Sequence, residues 1–144
     1  SLRVAAYYAI GEYSKIAGWD SLRDFRGEIQ YPRGMKIAEN NLKRVVQQGT
    51  LSTITETSQG LRKLSANRID LYVDDMNSVA PILKKLHTEL ETEIQVAGIL
   101  AEVPLYMYVH KKHRILAPQL AQIISQVKTE GLVEEFRKIA FGLE

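Results

Sequence analysis

Residues 69–75 read Ile69-Asp70-Leu71-Tyr72-Val73-Asp74-Asp75, and Met76-Asn77-Ser78-Val79 follow directly. An apolar run of strand length that ends in two acids and gives way to helical spacing marks a strand-to-helix junction. A buried strand is predicted over 69–73 and a helix over 76–89, in which Pro81 is tolerable only near the first turn. Upstream, residues 58–66 place Leu61 and Leu64 on one helical face, and residues 51–56 mix apolar and polar side chains as a half-exposed strand does. Strand and helix therefore alternate, as they do in α/β folds.

The same reading extends to both ends of the chain. Residues 2–10 are apolar and rich in Val and Tyr, a buried strand stopped by Gly11. Asp20 as N-cap and Gly27 as stop frame one or two helical turns. Residues 28–31 form a strand closed by Pro32, and Arg33-Gly34 turns into a helix over 35–48 that ends at Gly49. Residues 94–100 and 105–109 are further strands, separated by Pro104. In the tail, Leu116, Leu120, Ile123, Ile124 and Val127 mark one helix, and Leu132, Val133, Phe136, Ile139 and Ala140 mark another. The expected fold class is α/β, a small mixed sheet with helices on both faces and two C-terminal helices.

Composition narrows the function classes. The chain has 144 residues, 45% hydrophobic and 25% charged, which suits one ordinary globular domain and excludes disorder and collagen-like structure. With no cysteine, disulfides, zinc–thiolate sites and thiol catalysis are excluded together. The net charge of +2 is spread without a basic stripe, so nucleic acid is not an expected partner. Its apolar runs fall well short of the roughly 20 residues of a spanning helix. Ser1-Leu2-Arg3-Val4 has neither an initiator Met nor the regions of a secretory signal, which carries no argument for the cytoplasm.

No phosphate-binding glycine loop, nucleophile elbow or His-Glu-x-x-His pattern is present. His110 and His113 flank Lys111-Lys112, which repel cations, and read as a solvated turn, while His87 reads as a helix-surface residue. Neither a metal nor another cofactor is expected. Asp74-Asp75 is more informative, because the carboxyl ends of strands in α/β sheets border the ligand crevice. One of the two acids is expected to cap the following helix and the other to face a ligand. Arg33-Gly34-Met35-Lys36 occupies the same kind of place, where free N–H groups at a helix start favour an anionic or carbonyl oxygen, or where Gly34 simply makes a tight turn.

These pieces, in this order, resemble the second lobe of bacterial extracellular solute-binding proteins of family 3, the amino-acid-binding branch of the type II periplasmic-binding fold. The likeness spans most of the chain. Trp19-Asp20-Ser21-Leu22-Arg23-Asp24-Phe25-Arg26-Gly27 is similar to the family's entry into lobe two, and Ile29-Gln30-Tyr31-Pro32-Arg33-Gly34 to its next strand and glycine turn. The best match runs from Thr57-Ser58-Gln59-Gly60-Leu61 through Asn67-Arg68-Ile69-Asp70 to Asp75, against a pattern in which Gly-Arg-x-Asp precedes a second acid.

The resemblance implies that Asp75 holds a ligand ammonium, that Asp70 is a structural acid, and that Gly34, Met35, Lys36 and Arg33 line the site with Asp74 and Thr57. Met35 and Lys36 stand where the family places small hydroxyl residues, so Lys36 is expected to bias binding towards an anionic group. It further implies a lobe with hinge strands over 1–109 (core about 19–103) and C-terminal helices over 110–144 that belong to the partner lobe. The function implied is non-catalytic binding of an amino acid or related organic acid by a periplasmic receptor that feeds a membrane permease. The alternative is the ligand-sensing domain of a transcription regulator or sensor kinase. An enzyme is not expected, Asp75 with Lys36 being the one acid–base pair that could be nominated. Apolar faces on the tail helices predict a homodimer through hinge strands and tail.

Overall fold

The structure, a computed structural model, describes residues 2–104. Five strands, β1 (Leu2–Tyr8), β2 (Ile29–Pro32), β3 (Leu51–Ile54), β4 (Leu71–Asp75) and β5 (Gln95–Val103), form one sheet in the spatial order β3-β2-β4-β1-β5. β2 is parallel to β3 and β4, whereas β1 is antiparallel to β4 and β5. The helices α1 (Lys36–Val45), α2 (Thr57–Ser65) and α3 (Met76–Leu86) follow β2, β3 and β4 in turn. The mixed sheet is the expected one.

Strand alternation explains why both faces are covered. Leu71 and Val73 of β4 point to one side with Val4, Ala6, Ile29 and Tyr31, where Ala38, Leu42 and Val45 of α1 complete a buried cluster. Tyr72 points to the other side with Ala5 and Tyr7, against Leu61 and Leu64 of α2 and Val79 and Leu86 of α3. Each fully buried side chain of this size contributes about 1.5–3 kcal/mol of transfer free energy. Shifting β4 by one residue would exchange its two faces and place Asp74 among the α1-side hydrocarbons.

Several boundaries differ from the sequence reading, each for a local reason. β1 stops at Tyr8, ahead of the turn at Gly11, whose φ is 114°. Asp20 is not an N-cap: the 3-10 turn Trp19–Leu22 starts from Gly18, and Asp20 sits inside it with its carboxylate on Arg23 (3.0 Å) and Arg44 (2.9 Å). Gly27 is required by crowding instead of by a helix stop, since a Cβ there would lie 2.6 Å from Asp70 Oδ2. α1 ends at Val45, before Gly49, because Val46 turns extended to rejoin the core. β3 ends at Ile54, and α2 starts one residue early at Thr57. Pro81 lies in the second turn of α3, not the first; it is exposed, so the carbonyl that its missing N–H cannot serve can meet water. The strand expected over 105–109, both tail helices, His110, His113 and the tail-mediated dimer lie outside the described residues.

Candidate functional site

The parallel strands β2, β3 and β4 finish at one edge of the sheet. Pro32 is paired with Ile54, the Arg33 N–H donates to Ile54 O at 2.8 Å, and Gln30 is level with Tyr72. This register gathers the Arg33-Gly34 turn, the start of α2 at Thr57 and the Asp74-Asp75 pair along that edge. It is the edge that borders ligand crevices in α/β sheets.

Asp74 is fully buried and holds three donors. Tyr72 OH (2.6 Å) and Thr57 Oγ1 (2.8 Å) both donate to Oδ2, and the Asp75 N–H donates to Oδ1 at 2.7 Å. Burial pushes its carboxyl up, the Asp75 charge adds to the rise, and the three hydrogen bonds oppose it. Burial and the Asp74 charge also push the Tyr72 phenol far above its ordinary range, and burial followed by the charges of Asp74 and Asp75 does the same for Tyr7. Both phenols stay protonated.

Asp75 is the capping member of the pair. Ser78 N–H donates to Oδ1 at 2.7 Å and Ser78 Oγ to Oδ2 at 2.6 Å, so the carboxylate that the resemblance assigned to a ligand closes the first turn of α3. Asp70 has its structural role: its Oδ2 accepts the Glu28 N–H at 2.8 Å and ties the strand entry to β4. Asn67, in the place of the motif glycine, takes φ 60° and ends α2 with Arg68 N–H donating to Lys63 O at 2.9 Å.

The start of α1 is built differently. Gly34 has φ 85°, Met35 occupies the N-cap position without a side-chain cap, and the Met35 side chain is fully buried in the α1-side core, where it cannot line an open pocket. Lys36 is exposed and its Nζ lies 3.1 Å from Glu39 Oε2, with Lys43 also on Glu39. The hydrogen bonds from Lys43 and Lys36 hold the Glu39 carboxyl below its usual value. The charge expected to bias the site is thus paired within its own helix, and Lys36 and Asp75 are engaged by different partners. The Arg33 side chain is exposed.

Sequence reasoning missed Tyr72, Tyr7 and Ser78. Tyr72 could have been found from strand alternation, being two residues before Asp74 on the same face, and Ser78 from the capping spacing three residues after Asp75. Among the described residues one cavity of about 310 Å³ lies beside Arg62 and Glu89 and another of about 350 Å³ beside Lys43 and Ser52. Arg62 and Glu89 pair with each other at 3.1 Å, and neither cavity adjoins the acidic pair. Among the described residues no group of three His, Asp or Glu is placed to hold a metal, and no helix is long and apolar enough to cross a membrane.

No protein-family model matches the chain. It is 33% identical over 126 residues to an uncharacterized protein of Shewanella oneidensis, a match that takes in 88% of the chain and 47% of that relative. The chain thus spans about half the length of the relative it matches. Among solved structures it is similar to an ancestral arginine-binding protein bound to arginine (TM-score 0.56, 14% identity, 93% of this chain and 59% of that one). It is also similar to the periplasmic binding protein XoxJ of Methylobacterium extorquens (TM-score 0.53, 15% identity, 95% and 67%). A histidine kinase sensor domain with similarity to periplasmic binding proteins matches at TM-score 0.51 and 16% identity, over 70% of this chain and 41% of that one. The fold is that of a periplasmic-binding-protein-like lobe.

Proposed function

We propose that the chain carries one lobe of a two-lobed receptor that closes on a small polar solute, an amino acid or related organic acid, in the manner of the family 3 solute-binding proteins. The observation that carries this reading is where the two antiparallel strands, β1 and β5, meet the candidate site. Val4 is paired with Asp75 on one side and with Ala101 on the other, and Leu2 with Val103, so β1 begins and β5 finishes at the edge that holds Asp74, Asp75 and the Gly34 turn. A partner lobe joined through those two strands would cover that edge and expel water from a ligand held there. The reading includes a periplasmic location, delivery to a membrane permease, and binding without catalysis.

The test is a thermal-shift panel of amino and organic acids on the full-length protein. Saturable stabilisation by at least one class is expected, and a flat response across the panel would remove the proposal. A sensor module is the second reading, favoured by the likeness to the histidine kinase sensor domain. A ligand that raises kinase activity in full-length protein, with no effect on solute uptake, would select it.

A further inference from the structure

The polar cluster between β4, α2 and β1 has an arrangement that solute binding does not require. Two adjacent carboxylates, Asp74 and Asp75, are both buried at the end of one strand, and none of the ion pairs among the described residues involves Asp74. Among the described residues, the groups that face Asp74 are Tyr7 from β1, Tyr72 and Asp75 from β4 and the Thr57 hydroxyl from α2, with Ser78 of α3 beyond on Asp75. No cation is among them. Removing a charge from water without an opposite charge is costly, and a second negative charge one residue away adds repulsion.

The donors around Asp74 differ in freedom. The Tyr72 ring is clamped, because a Cβ on Gly60 of α2 would run into its edge, so its hydroxyl stays against Oδ2. Thr57 is the first residue of α2, partly buried, and its hydroxyl can rotate. With Asp74 ionised, both hydroxyls must donate to Oδ2. With Asp74 protonated, the carboxyl supplies a donor of its own and one hydroxyl must turn to accept, which the rotor on Thr57 can do.

We propose that Asp74 is a proton-operated latch between the end of β4 and the start of α2, neutral and firmly seated in one state, charged and less firmly seated in the other. The burial of Asp74 beside Asp75 places its titration at about pH 7, above the ordinary carboxylate range. A group whose folded pKa is raised contributes stability that is complete below its unfolded pKa and is lost as pH rises through the folded value. The latch therefore holds best in acid and weakens across neutrality, at an edge where the start of α2 adjoins the candidate solute site. The latch stands whether or not the solute reading does, because its test needs no ligand.

The experiment is carbon-detected NMR of the full chain between pH 4 and pH 9. The carboxyl signal that disappears in Asp74→Asn should titrate with a midpoint near 7, and the backbone amides of Thr57, Ser58 and Gln59 should shift with the same midpoint in the wild type and lose that step in Asp74→Asn. In parallel, the melting temperature of Asp74→Asn minus that of the wild type should grow by at least about 4 °C between pH 5 and pH 8. Thr57→Val, which keeps the shape and removes the donor, should raise the Asp74 midpoint and flatten the α2 amide step. A midpoint in the ordinary carboxylate range, or an α2 step that persists in Asp74→Asn, overturns the proposal. If Asp74→Asn does not fold, the wild-type carboxyl midpoint and the Thr57→Val shift decide alone.

Discussion

Two turns lead from a parallel strand into a helix at the same edge of the sheet, and they are held in unlike ways. Before α1, Pro32-Arg33-Gly34-Met35 makes its turn with backbone: a glycine at φ 85°, a Met35 N–H on Pro32 O at 3.1 Å, and no side-chain cap. Before α3, Asp74-Asp75 makes its turn with side chains: two buried carboxylates that accept hydrogen bonds from Tyr72, Thr57, Ser78 and the Asp75 amide. The first leaves helix-start N–H groups without a capping side chain; the second spends its polar groups on internal structure. Residue type alone suggests the reverse, because carboxylates look like ligand groups and a Gly-Met turn looks like a connector.

The largest consequence falls on the side-chain-held turn. Gly60→Ala should destabilise the protein by about 3 kcal/mol, since its methyl group would meet the ring of Tyr72, which cannot swing away while its hydroxyl is held by Asp74. Urea unfolding of the purified protein would measure it. A loss below about 1 kcal/mol would mean that the Tyr72–Asp74 contact gives way easily and that the two turns are less different than the geometry indicates.

Asp75→Ala comes next, at about 2 kcal/mol, the sum of a lost N-cap and a Ser78 hydroxyl left without its acceptor. Asp75→Asn should recover much of that loss, because an amide oxygen can still accept the Ser78 N–H. If Asp75→Ala instead weakened ligand binding strongly with little change in the melt, the capping role would yield to the ligand role that the family resemblance suggested.

The fold was legible because it depends on patterns local to the chain. The alternation of Leu71, Tyr72 and Val73, the helical spacing of Leu61 and Leu64, and the turn at Gly34 each report their own conformation. The acidic pair at the end of β4 was legible in position, and its contacts were legible only in part. That Asp74 and Asp75 end a strand, and that Ser78 stands at the capping spacing from Asp75, is written in residues 69–78, but what Asp74 touches depends on Thr57 arriving from another element 17 residues away. Lys36 shows the opposite case: its contact with Glu39 is an i,i+3 pair within the expected helix, so both the charge and its partner stand in the sequence. Asp20 is not a cap because the turn starts from Gly18, which leaves its carboxylate to Arg23 and to Arg44 of α1.

On the backbone-held turn the effects are smaller. Gly34→Ala should cost about 1 kcal/mol, because φ 85° is strained for any residue with a Cβ, whatever space surrounds it. The same change should also disturb solute binding in the full-length protein more than its effect on stability accounts for, since it tilts the helix-start N–H groups. Equal, small effects on both would place the ligand elsewhere along the edge.

Lys36→Thr should do least. The lysine is exposed, and its contact with Glu39 is one of a pair that Lys43 shares from the next turn, at 3.1 Å each. Exposed pairs of this kind contribute little, and Lys43 remains to hold Glu39, so the melting temperature should move by less than about 2 °C. The selectivity of the full-length protein between a neutral amino acid and a dicarboxylate should not change either, because the Lys36 ammonium is held against Glu39 along its own helix. Calorimetry with both ligand classes on wild type and Lys36→Thr measures this directly. A selectivity that moves towards neutral amino acids would show that Lys36 leaves Glu39 when the lobes close, and the turn before α1 would then recruit a side chain after all.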